Sequence, residues 1–241
     1  MTEGRGKIRT YRVLSLWTLL ARCSIYKIFA VFIVMVLAEG ACVYGYLENG
    51  QGRTPAEVIS GSHISLVFFG ALGLVLFILA RSQGMLREKS GNVMGRLGVS
   101  DRRIFCLQAV YNLLCLWMLF MVQIWAAIGL VRLCGERIGG SVPASFGLFL
   151  TFYQSDFLHC LLPMAEAGKW MRNLFLLAAF SLEAGRGAGK RNYAVLNLLF
   201  VVTAVWFVSP IGINFLDVVC MLVYGAVIAV NLWRNFYSRE Q

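Results

Sequence analysis

Charged residues are scarce in this chain. Only 14% of its 241 residues are Asp, Glu, Lys or Arg, whereas a soluble domain of this size carries about a quarter. Hydrophobic residues make up 59% of the sequence and gather into long blocks. A block of about 20 apolar residues predicts a helix that crosses the hydrocarbon core of a membrane. Because several such blocks leave little room for a soluble domain, the composition indicates a single membrane domain.

Short motifs for metal binding or catalysis are missing as well. The seven cysteines form no CxxC pair, and most lie in apolar stretches that favour buried thiols over disulfides. No HExxH, no GxSxG and no pair of carboxylates at catalytic spacing occurs. Asp156 and His159 lie three residues apart and could share a helical face, either as metal ligands or as the polar face of an interfacial helix. Two ligands do not make a metal site, so we predict no catalytic residue, metal or cofactor in this chain.

A Walker A phosphate loop is also absent. Residues 185–191, GRGAGKR, resemble one at first glance. However, Ala184 occupies the position of its first glycine, and Arg191 occupies that of the hydroxyl residue that binds Mg²⁺. The better interpretation is a flexible basic loop on the cytoplasmic side. The chain therefore has no visible means of hydrolysing ATP by itself.

The apolar blocks predict an all-α bundle of six membrane-spanning helices, with both termini in the cytoplasm. The transmembrane domain covers residues 25–233, with spans at 25–46, 62–80, 104–131, 168–184, 193–209 and 213–233. Residues 1–24 are basic, with apolar residues at helical spacing, which predicts a cytoplasmic interfacial helix or an early start of the first span. Residues 234–241 form a cytoplasmic tail.

The apolar block at 144–164 decides between six and seven spans. It carries Gln154, Asp156 and His159, and a charge deep in a span costs about 3 kcal/mol. If the block dips into or lies on the outer leaflet without crossing, 17 of the 22 Lys and Arg residues are cytoplasmic. If it crosses, only 14 of the 22 are cytoplasmic. The preference of Lys and Arg for the cytoplasmic side favours six spans, and it accounts for the net charge of +10 without nucleic-acid binding.

Two carboxylates fall inside predicted spans. Glu39 lies in the first span and Asp217 in the last, both nearer the outer end. Carboxylates inside a membrane are costly and usually face a bundle interior or a watery cavity, which makes these two candidates for a substrate pathway. The alternative is that each one reaches to the outer headgroups.

The basic stretch between the second and third spans, residues 81–103, is predicted to be a compact inner loop that docks a soluble partner. Its apolar side chains can fill a cleft while its charges form a polar rim, and Gly91 and Gly95 permit a tight turn. Ser100 or Asp101 can cap the helix that follows. The residues predicted to bind the partner are Leu86, Arg87, Glu88, Asn92, Met94 and Leu97.

This arrangement resembles the ABC-2 type permease subunits of bacterial ABC transporters. The shared features are six spans, an interfacial N-terminal helix and a short basic loop between spans two and three. Residues 97–105, LGVSDRRIF, are similar to the Leu-Pro-x-Ser-Arg stretch often found in that family, with Gly98 where proline is common. The segment between the third and fourth spans is long and apolar for a minimal member.

The resemblance implies a permease subunit, an exporter, in the inner (cytoplasmic) membrane of a bacterium. It implies a separate cytoplasmic ATP-binding subunit that holds ATP and Mg²⁺, and a coupling helix near Leu86–Leu97. It also implies a second permease copy, identical or different, with the path between the two copies. The alternatives are a proton-coupled secondary transporter that uses Glu39 or Asp217, and a membrane-embedded enzyme with acid–base residues near the outer face.

Overall fold

The computed structural model describes residues 2–49, 54–97, 101–138, 144–163, 166–186, 190–208 and 214–236. Within these ranges all regular structure is α-helical, which confirms the all-α part of the prediction, while the six spans and the cytoplasmic termini stay predictions. The helices formed by the described residues are α1 (Thr2–Glu48), α2 (Pro55–Gly61), α3 (Ile64–Leu97), α4 (Asp101–Ile138), α5 (Ala144–Gln154), α6 (Asp156–Leu161), α7 (Ala167–Ala184), α8 (Lys190–Val208) and α9 (Asn214–Phe236).

Four helical segments in the described residues are long and apolar enough to cross a membrane. Much of their surface faces outward from the bundle with large apolar side chains, including Leu37, Trp125 and Leu222. An apolar outer surface of this extent suits a lipid environment rather than water. The described residues therefore form an all-α fold with four candidate membrane-spanning helices. The four segments are Ser24–Glu48, Ile64–Ser82, Arg102–Ile138 and Phe215–Asn235.

The two other predicted spans fall in α7 and α8. The 18 residues of α7 include Lys169, Arg172 and Glu183, which make this helix more polar than the four long segments. The apolar part of α8 is the shorter stretch Tyr193–Phe207. Since α7 contacts α3, α4, α8 and α9, it is a central helix of the bundle. Its charged side chains are consequently surrounded by other helices.

The N-terminal segment and the first predicted span form one uninterrupted helix. The 47 residues of α1 correspond to about 70 Å. The sequence contains neither proline nor glycine between Gly6 and Gly40, so nothing breaks the helix near residue 24. The boundary predicted there is not a structural one. The interfacial position of residues 1–24 stays a prediction.

The predicted inner loop is also helical over most of its length. Helix α3 continues without interruption to Leu97, and its backbone makes no turn at Gly91 or Gly95. Glycine inside a helix costs only about 1 kcal/mol, and no proline occurs between Pro55 and Pro143 to end the helix. The prediction of a compact loop is therefore corrected to a long helical extension of α3.

Pairs of neighbouring residues fix the relative directions of the helices. Residue numbers rise together along the α7–α9 pairs, so these two helices run parallel. They change in opposite directions along the α4–α7 pairs, so α4 and α7 run antiparallel. The pairs are Asn112–Ser181 and Phe105–Gly185 between α4 and α7, and Arg172–Asp217 and Glu183–Asn231 between α7 and α9.

The antiparallel arrangement places the end of α4 and the start of α7 at the same end of the bundle, here called the Ala167 end. The opposite end is called the Glu183 end. Helices α5 and α6 connect α4 to α7 and so begin and finish at the Ala167 end. Their 11 and 6 residues correspond to about 16 and 9 Å, each shorter than the hydrocarbon core of about 30 Å.

Helix α6 is inserted between other helices and does not lie on the bundle surface. Its side chains from Phe157 to Leu161 are all buried. The ring of Phe157 packs against Phe68 of α3 at 5.6 Å and against Phe207 of α8 at 6.5 Å between ring centroids. Ser155, in an extended conformation, separates α5 from α6. That residues 144–164 dip into or lie on the outer leaflet without crossing stays a prediction.

Candidate functional site

A buried ion pair joins α7 to α9 at the Ala167 end. The Nη1 atom of Arg172 donates a hydrogen bond of 2.7 Å to Oδ1 of Asp217, and their side chains are 1% and 11% exposed. Trp206 of α8 donates from Nε1 to the same carboxylate oxygen at 3.2 Å. A charge inside a bundle is costly unless it is paired and hydrogen-bonded. Both charges here meet that condition.

The other donors of Arg172 hold helix α6 in place. Nη2 of Arg172 and Nδ2 of Asn173 both donate to the carbonyl oxygen of Cys160, at 3.3 and 2.9 Å. Cys160 lies in the last turn of α6, where carbonyl groups have no partner within the helix. The guanidinium also lies 5.3 Å from the ring centroid of Phe207, a distance suited to a cation–π contact. Arg172 thus connects α6, α8 and α9 to α7.

Lys169, Glu166 and His159 continue this cluster toward the surface. Lys169 Nζ lies 2.8 Å from Oε2 of Glu166, and Nε2 of His159 lies 3.4 Å from Oε1. The hydrogen bond from Lys169 is the main reason that the pKa of Glu166 lies below its ordinary value. Lys169 and His159 are buried, whereas the Glu166 side chain is 39% exposed. The α7 charge cluster comprises His159, Glu166, Lys169, Arg172, Asn173, Trp206 and Asp217.

A second buried carboxylate lies at the Glu183 end of the same helix. Asn231 of α9 donates from Nδ2 to Oε2 of Glu183 at 2.8 Å. Arg186 Nη1 lies 3.3 Å from that oxygen. The α-carbons of Arg172 and Glu183 are separated by about 16 Å along the helix. Charged or amide partners on α9 therefore hold α7 at both ends.

Glu39 has a different environment. It is completely buried between α1 and α4, where it faces the amide of Gln123. Neither carboxylate oxygen of Glu39 and neither amide atom of Gln123 has a hydrogen-bond partner among the described residues. Because its side chain does not reach the surface of the bundle, the predicted alternative of contact with headgroups does not describe it.

The two predicted pathway acids are not brought together. Glu39 belongs to the α1–α4 contact, whereas Asp217 belongs to the contact of α7, α8 and α9, and they share no partner in the described residues. Asp156 and His159 also lie in different surroundings. Asp156 is exposed, while His159 is buried against Glu166 and the edge of the Tyr153 ring.

The residues predicted to bind a partner all lie on the C-terminal part of α3. Their backbone is helical, and their side chains, from residue 83 onward, lie outside the described part of the structure. Residues 98–100 of the family-like stretch and residues 187–189 of the basic loop also lie outside the described residues. The predicted set is Leu86, Arg87, Glu88, Asn92, Met94 and Leu97.

Sequence reasoning missed the most connected residues of the α7 charge cluster. The predicted topology assigns Lys169 and Arg172 to the five basic residues on the outer side of the membrane, although they lie in the first turns of a predicted span. The usable signal was a pair of opposite charges, Arg172 and Asp217, near the starts of two predicted spans that both run inward. Charges within a membrane helix need partners, and parallel helices place such positions at the same depth.

No group of three or more His, Cys, Asp or Glu side chains in the searched, described residues is arranged to hold a metal ion. No family model, no curated protein and no solved structure matches the chain. The described residues form a helical bundle with four helices long and apolar enough to cross a membrane and with charged side chains buried inside it.

Proposed function

We propose that this chain is the membrane-spanning permease subunit of an ABC-2 type transporter, an exporter in the inner membrane, driven by a separate ATP-binding subunit. The position of its ionisable residues carries the proposal. Glu39, Arg172, Glu183 and Asp217 are all buried in a bundle whose outer surface is apolar. Ionisable residues inside a membrane are costly, and they commonly mark pathways for ions or substrates.

Six spans with cytoplasmic termini form part of the proposal. Two independent features support this topology: the concentration of Lys and Arg on one side, and the antiparallel arrangement of α4 and α7. If the segment of α5 and α6 crossed the membrane an odd number of times, α4 and α7 would run parallel to each other. With no crossing there, the Glu183 end is cytoplasmic and the α7 charge cluster lies near the outer face.

The extension of α3 is the proposed contact with the ATP-binding subunit. The apolar segment of α3 ends at Ser82, and the helix continues to Leu97, which projects it by about 22 Å. Because a helix is stiff, one of this length transmits movement of the ATP-binding subunit to the membrane domain. A flexible loop would not. The chain has no phosphate loop of its own, so the energy must enter through such a contact.

The test is co-purification of an ATP-binding chain from the native membrane. Met94→Asp and Leu97→Asp place a charge on the proposed contact and are expected to weaken binding about thirtyfold, because losing an apolar anchor costs about 2 kcal/mol. Ser60→Asp is the matched control: it adds the same charge at an exposed position of α2, near the proposed outer face. If no ATP-binding chain accompanies the wild-type protein, the proposal fails.

The proton-coupled transporter is the second candidate, and the unpartnered Glu39 favours it. The separation of exposed Asp156 from buried His159 gives no comparable support to an embedded enzyme.

A further inference from the structure

The contact between Glu39 and Gln123 leaves four polar atoms without a hydrogen-bond partner among the residues that the structure describes. They are the two carboxylate oxygens of Glu39 and the oxygen and nitrogen of the Gln123 amide. Both side chains are fully buried. An unsatisfied polar group in an apolar interior is destabilising, and an unpaired charge is more so. Four such atoms at one helix contact therefore require an explanation.

Ionised Glu39 cannot satisfy all four atoms. A carboxylate only accepts hydrogen bonds, so it could accept from Nε2 of Gln123 while the amide oxygen would remain unpaired beside a negative charge. A neutral carboxylic acid both donates and accepts. Its O–H can donate to the amide oxygen while the amide N–H donates to its carbonyl oxygen. This reciprocal pair uses all four atoms at once.

Rotation about the last torsion of each side chain leads to this arrangement. The last torsion of Glu and of Gln is broad and roughly two-fold, and the oxygen and nitrogen of an amide exchange places when it flips. Helices α2, α3 and α4 pack against α1. In the described residues of these four helices, no charged side chain compensates the carboxyl group of Glu39. The polar side chain that faces this carboxyl group is the Gln123 amide. Protonation of Glu39 is therefore the least costly way to remove an uncompensated charge from this site.

We propose that Glu39 and Gln123 form a proton-binding site that is closed when α1 packs against α4. The O–H bond of the Glu39 acid breaks only when the two helices separate and water enters. The proton then passes to water, and Glu39 becomes a carboxylate. This site does not depend on an ATP-binding subunit, so it goes beyond the proposed function and can be tested on the purified chain alone.

Infrared spectroscopy of the purified protein in ether-lipid membranes, which lack ester carbonyls, tests the site directly. At neutral pH the wild type should show the carbonyl stretch of a protonated carboxylic acid, which shifts in heavy water. Glu39→Gln should abolish this band. Asp156→Asn is the control and should leave it unchanged, because Asp156 is exposed and lies outside the α1–α4 contact.

Two further outcomes decide the arrangement. Gln123→Leu removes the hydrogen-bond partner and should move the band to higher frequency without removing Glu39. Glu39→Gln should keep the thermal stability of the wild type, since two amides can form the same reciprocal pair. Absence of the band in the wild type, or its persistence in Glu39→Gln, would overturn the proposal whether or not the chain proves to be a permease subunit.

Discussion

Replacing either member of the Arg172–Asp217 pair should destabilise the protein far more than replacing both. Asp217→Leu leaves a guanidinium in the interior without its carboxylate. Arg172→Met leaves the carboxylate with only the Trp206 N–H. Removing one partner of a buried ion pair costs about 3–5 kcal/mol, because the remaining charge is no longer compensated. We expect a loss of this size from each single substitution.

The double variant Arg172→Met/Asp217→Leu removes both charges. It still loses the hydrogen bonds from Arg172 to Asn173 and to the Cys160 carbonyl, at about 1 kcal/mol each. Asn173 continues to donate to Cys160 at 2.9 Å, which keeps α6 attached. The double variant should therefore be more stable than either single variant by about 1–3 kcal/mol.

Equilibrium unfolding in mixed micelles measures these differences as a double-mutant cycle. Tyr224→Phe is the matched control, since it removes a buried but uncharged hydrogen bond to Thr203 of 2.9 Å. Its expected cost is about 1 kcal/mol. Single substitutions that each cost less than about 1 kcal/mol, or a double variant equal to their sum, would show that the two charges are not coupled inside the bundle.

Two other predictions concern topology and transport. In a cysteine-free background, single cysteines at positions 188 and 240 should be shielded from a membrane-impermeant reagent in intact cells, while one at 136 should react; labelling of 188 from outside contradicts six spans. Glu39→Gln and Asp217→Asn should lower transport while membrane insertion stays intact, because each keeps the size of the side chain but removes its ability to ionise. Full transport by both variants would exclude these acids from the path.

The helical content of the chain and its membrane character follow from local features of the sequence. Blocks of apolar residues about 20 long need no partner to specify a helix in lipid, because the backbone satisfies its own hydrogen bonds. All of the predicted spans accordingly fall largely within helices. Helix ends were harder to predict. Nothing between Gly6 and Gly40 interrupts α1, and the polarity of residues 83–97 was taken for a loop although polar residues are compatible with a projecting helix.

The candidate sites depended on contacts between residues that are distant in the sequence. Glu39 and Asp217 were predicted from their chemistry alone, but their partners, Gln123 and Arg172, are 84 and 45 residues away. The two acids consequently have different surroundings: Asp217 contacts a guanidinium group and an indole N–H, whereas Glu39 faces an amide. The sequence by itself determined that its apolar blocks are helical and suit lipid, but it did not determine where the helices end. Only the tertiary structure decided which buried acid is paired, because pairing depends on how whole helices pack.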